Sequence, residues 1–147
     1  MKLMRYVLPV ALSMFTVACG SESGTPANTK APRVFFIEPT AGATGKSPVH
    51  LRFGAENFMI MPVPAGEVTT VRPGMGHHHL GVDQDCLPAG ANIVKGTPSW
   101  VHFGDGKTEM DLQLTPGTHK LSLQLGDDMQ NTMANLCQTI TVNVTEP

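Results

Sequence analysis

Three consecutive histidines, His77, His78 and His79, stand inside "GMGHHHLGVD", residues 74–83, beside the apolar Leu80 and Val82. Imidazole is the commonest protein ligand for transition metals and the side chain whose ordinary pKa lies nearest neutrality. The run therefore points either to a metal or to a hydrogen-bonded network. Successive side chains on a strand face opposite ways. If Leu80 and Val82 face a core, His78 goes with them, and His77, His79 and Asp83 face the other way. On that face His77 and His79 are ~6.5–7 Å apart at the α-carbon, near enough to converge on one ion. Asp83 is then placed to orient a ligating imidazole by accepting a hydrogen bond from its other ring N–H.

A second set competes with the first. In "THKLSLQLGD" the core residues Leu121, Leu123 and Leu125 share a face with His119. His78 and His119 can then meet at the mouth of a β-sandwich. The first set predicts an exposed site on a sheet face, the second a partly buried site at one end. In "SWVHFGDG", His102 shares a face with Trp100, and either face of that strand suits a core. His102 therefore joins Asp83 among the residues expected to orient a ligand. Each histidine alone also has a plainer role as a packed, hydrogen-bonded core residue.

Methionine bears on which metal. Met75 precedes the histidine run and Met129 follows the His119 strand; both are candidate ligands. Thioether with imidazole suits Cu(I), and imidazole alone suits Cu(II) or Zn(II). Copper is thus the expected ion and zinc the alternative, although methionine also serves as gap-filling core material. The sequence has no HExxH, nucleophile elbow or phosphate loop, so no enzyme is expected. Asp105, Asp127 and Asp128 sit in turn-forming contexts.

The elements that must position these residues are short strands. "VHLRFGAEN" alternates Val49, Leu51, Phe53 and Ala55 against His50 and Arg52; "TEMDLQL" repeats the pattern, and "FMIMPV", "GEVTTV" and "CQTITVNV" are further candidates. No window carries a helical period. The expected fold is all-β, an antiparallel immunoglobulin-like β-sandwich of seven to nine short strands over residues 33–147. Cys86 and Cys137 are expected to form a disulfide, since neither has a second Cys or a His at zinc-site spacing.

The N-terminus carries Lys2 and Arg5, then an apolar run from Val7 to Ala18, the layout of a signal peptide over residues 1–18. "TVAC" resembles the lipobox of bacterial lipoproteins, which implies lipidation at Cys19. Residues 19–32 read as a polar tether. Gly20 in place of Asp leans toward the outer membrane, so the domain is expected in the cell envelope, anchored by lipid on the periplasmic side. Without Lys2 and Arg5, eight basic residues face twelve acidic ones. That balance, with no basic stripe, excludes a nucleic-acid partner and leaves a metal ion or a periplasmic protein.

"PRVFFIEPTAGATGKSPVHLRFGAENF", "GHHHLGVD", "HFGDGKTEMDLQLTPGTHKLSLQLGD" and "TITVNV", in this order, resemble the bacterial family called domain of unknown function 4399. The resemblance implies a small exported β-rich protein. Many members carry a further His just after the "LGD" strand. Here the region reads Asp127, Asp128, Met129, Gln130, so that if the family's His is a ligand, either Met129 substitutes for it or the site is incomplete.

Overall fold

The computed structural model describes residues 30–95 and 97–146. The expected signal peptide, Cys19 and nearly all of the expected tether lie outside the described residues. Nine strands follow one another: β1 Arg33–Glu38, β2 Thr44–Gly45, β3 Val49–Glu56, β4 Met59–Ile60, β5 Met75–Val82, β6 Trp100–His102, β7 Glu109–Leu112, β8 Gly117–Gly126 and β9 Thr132–Val144. No helix occurs among the described residues, and the fold is all-β, consistent with a sandwich. A three-stranded sheet runs β1-β3-β7. A six-stranded sheet runs β2-β9-β8-β5-β4, with β6 also paired to β5.

Two segments depart from expectation. Residues 66–71, "GEVTTV", form no strand. Pro64 and Pro73 bracket them, and the segment instead carries Arg72 to Asp128. The run 58–63 is reduced to the two residues of β4, because Pro62 ends it. In compensation β9 begins at Thr132, five residues before the expected start, where Thr132 pairs with Gly126.

The core between the sheets follows from alternation. Leu51 and Phe53 of β3 meet Leu80 of β5 and Leu121, Leu123 and Leu125 of β8, all at most 2% exposed. Fully burying each such side chain contributes about 1.5–3 kcal/mol. Yet in β5 every residue from Gly76 to Gly81 is buried, and in β8 every residue from Leu121 to Gly126. Strands covered on both faces lose the inside–outside contrast.

The second cover is the segment after β5. The Gln84 carbonyl accepts from Ser122 Oγ (2.7 Å), and the Gln124 amide bonds both the Leu87 N–H and the Leu87 carbonyl, each at 2.9 Å. Farther along, Ile93 N donates to the Gln130 carbonyl (2.8 Å), and Ile93 is 1% exposed. Ser122 and Gln124 are polar residues buried on the outer face, and each is satisfied by this segment. Cys86 and Cys137 form the expected disulfide, with α-carbons 6.1 Å apart and a sequence separation of 51. Closing a loop of that length contributes about 4 kcal/mol on the chain-entropy account. The disulfide also staples the cover to β9.

Candidate metal centre

β5 runs antiparallel to β6, with His79 directly opposite His102. His77 lies two residues back on the same face of β5, so three imidazoles crowd one patch of the outer face. Their ring centroids are 4.7 Å (His77–His79), 4.8 Å (His77–His102) and 5.1 Å (His79–His102) apart. Each offers a ring nitrogen to a group in which all three nitrogens lie within 4.8 Å of one another. His77 Nε2 is 3.0 Å from His102 Nε2. Two nitrogens bound tetrahedrally to one ion at ~2.0 Å are about 3.3 Å apart, so this group needs only small adjustments to hold a metal.

Gln130 closes the fourth side. Its Oε1 lies 3.0 Å from His77 Nε2 and 2.9 Å from His79 Nε2. Gln130 occupies the turn between β8 and β9 with φ of 69°, a left-handed conformation uncommon for a residue with a side chain. The turn is tightly tied. Gln130 N donates to the Asp127 carbonyl (2.9 Å), and Asp127 Oδ1 accepts from Met129 N (2.8 Å) and Asn131 N (2.9 Å). Beside it the buried Asp128 carboxylate accepts from Arg72 at Nε (2.8 Å), Nη2 (2.7 Å) and the backbone N–H (3.0 Å). The Arg72 guanidinium holds the Asp128 carboxyl below its ordinary pKa.

Two glycines make room for the rings. A β-carbon at Gly126 would stand 2.6 Å from His79 Cε1, and one at Gly104 would stand 2.3 Å from His102 Cε1. Neither space is available to a larger residue unless the imidazole moves.

Burial sets the protonation state. His77 and His79 are 0% exposed. Loss of water pushes the His79 pKa down to about 3, with the neighbouring His77 adding to the fall. Burial lowers His77 and His102 as well. All three rings are therefore neutral at neutral pH, the form that ligates metals. Nδ1 of His77 and of His79 is buried with no hydrogen-bond partner among the described residues. Such orphaned groups cost stability, so this cluster is not explained by folding alone.

The other sequence-derived candidates lie elsewhere. His78 faces the inter-sheet core, as alternation requires, with its ring 5.3 Å from Phe53. It is 0% exposed, neither ring nitrogen has a hydrogen-bond partner among the described residues, and burial takes its pKa down to about 4. His119 is at the rim, its Nδ1 2.9 Å from Asp83 Oδ2 and its Nε2 2.9 Å from the Thr115 carbonyl. The structure does not bring His78 and His119 together. Asp83 orients His119 and is not a partner of the triple run. Met75 starts β5 on the His77 face, half-buried, and pairs with Met59. Met129 is 44% exposed, so the side chain aimed at the cluster from this turn is that of Gln130. The His77–His79 face is buried, not exposed, because residues 84–95 and the 127–131 turn lie over it.

His102 proves to be one of the three converging rings, a role visible only once β5–β6 register is fixed. Within the 127–130 stretch, where the resemblance places a further His, the residue that reaches the rings is Gln130 and not Met129; a glutamine in a turn carries no spacing signal of its own. Removing the unpartnered ring of His78 is expected to stabilise the fold. His78→Leu should raise unfolding free energy by about 1–3 kcal/mol in urea melts, since it deletes orphaned polar atoms from an apolar site.

A family model described as a domain of unknown function (DUF4399) matches residues 51–145. The chain belongs to the DUF4399 family. Within this DUF4399 domain the matched stretch contains His77, His79, His102 and Gln130 together. No curated protein and no solved structure matches the chain.

Proposed function

We propose that this DUF4399 domain binds one copper ion through Nε2 of His77, His79 and His102, and stores or delivers it without catalysing a reaction. The observation that carries this reading is the convergence of three neutral imidazole nitrogens within 4.8 Å, two on buried rings and one on the half-buried His102. The donor set has no charge of its own, and the nearby Asp128 is already paired with Arg72. Burying a charge costs less the smaller it is, so the pocket favours Cu(I) over a divalent ion. Zinc is the alternative, since imidazole suits both metals. Support for copper rests on this charge argument and not on methionine. A disulfide fits an oxidising compartment, which agrees with a lipid-anchored domain facing the periplasm.

Competition titration with Cu(I) against a chromophoric chelator tests the reading. One ion per chain, bound tighter than micromolar, is expected. His77→Ala and His79→Ala should each weaken binding at least 100-fold, and His119→Ala should behave as the parent protein does. No stoichiometric uptake of copper or zinc ends this reading.

One observation favours a second reading, an interaction module with a buried hydrogen-bond network: Gln130 Oε1 is positioned to accept from two of the rings. On that reading chelators change nothing, and His79→Leu destabilises the fold because Gln130 Oε1 loses one of its two donors.

A further inference from the structure

Gln130 is placed where a fourth ligand would stand. Its Oε1 is within 3.0 Å of two of the three ring nitrogens that would hold an ion. The backbone that presents it is fixed by the Asp127 turn and by Ile93 N on its own carbonyl. The side chain is the movable part, with three rotatable torsions. Beyond it lies a surface groove of about 390 Å³, bordered by Val63, Lys95 and Met129 and reaching Gln130 itself. The side chain therefore has a bound position against the rings and open space beside it.

An amide oxygen is a hard donor. It suits Cu(II) or Zn(II) and is a poor partner for soft Cu(I), which three imidazoles already satisfy. We infer that Gln130 Oε1 is an exchangeable fourth donor, ligating a divalent ion and standing aside when the site holds Cu(I). Gln130 is then the residue by which the site distinguishes the charge of its ion. A divalent ion has the extra oxygen to offset its greater desolvation, and a monovalent ion is left three-coordinate on the rings. This inference rests on the metal reading above.

The test compares two ions in three proteins. Zn(II) and Cu(I) affinities are measured by chelator competition in the parent protein, Gln130→Ala and Gln130→Glu. Gln130→Ala should weaken Zn(II) at least tenfold and leave Cu(I) unchanged within twofold. Gln130→Glu, which keeps an oxygen at the same reach, should retain or strengthen Zn(II) binding. For copper itself, a tenfold selective loss of Cu(II) raises the potential of the one-electron couple by about 59 mV. If Gln130→Ala fails to fold, Gln130→Met replaces it; its thioether should strengthen Cu(I) and weaken Zn(II). Equal effects on both ions, or none on either, overturn the role of Gln130 and leave the three-histidine site standing. A parent protein that takes up neither ion overturns the metal reading instead.

Discussion

Saturating Cu(I) or Zn(II) raises the melting temperature of this DUF4399 domain by on the order of 10–20 °C, and that of His77→Ala, with affinity at least 100-fold lower, by no more than about a third of that. The size follows from linkage. An ion at 1,000 times its dissociation constant stabilises the folded state by about 4 kcal/mol when it binds the unfolded chain weakly. In a domain of this length each kcal/mol corresponds to several degrees. His77 is the sensitive position because its Nε2 lies 3.0 Å from both His102 Nε2 and Gln130 Oε1. Removing that ring leaves His79 and His102 without the neighbour between them. A scan with and without metal, on both proteins, measures the effect. An equal shift in both proteins would assign the ion to another site.

Acid should unfold the metal-free domain early. His79 and His78 have folded pKa values of about 3 and about 4, lowered by burial, against an ordinary 6.5. Their native forms stay neutral at pH 5, while the same rings in the unfolded chain take up protons from about pH 6.5 downward. The unfolded state binds more protons in that window, so stability falls as pH falls. At about 1.4 kcal/mol per pH unit for each proton, these two rings remove on the order of 4 kcal/mol between pH 7.5 and 5. His77 and His102 act in the same direction, since burial lowers both. His119 opposes them. Its pKa is raised by Asp83, so the stability it adds is full below pH 6.5 and fades as pH rises. Urea denaturation at the two pH values reads the net loss, and a stability that is flat or rises toward pH 5 would contradict this assignment of buried neutral rings.

Strand alternation made much of the site legible. It put Leu80, Leu121, Leu123 and Leu125 on the core face, His78 with them, and His77 with His79 on the other. The pairing of Cys86 with Cys137 followed from number and spacing. Alternation says nothing about what covers a face. The expectation of an exposed His77–His79 pair failed because a loop with no regular structure lies across it, held by Gln124, Ser122 and the disulfide. Register was the second missing quantity. His102 joins the cluster because it falls opposite His79, and a one-residue slip would turn its ring to the core face. Gln130 depends on a left-handed turn residue packed through long-range contacts, which no local pattern announces. The segment 66–71 looked like a strand by composition and is a loop because prolines bracket it.

X-ray absorption at the metal edge of the loaded protein addresses the shared centre most directly. Three imidazole nitrogens at ~2.0 Å from the ion are expected, with one imidazole lost in His79→Ala. A spectrum showing no more than one imidazole, or one that His79→Ala leaves unchanged, would contradict a common ion among His77, His79 and His102.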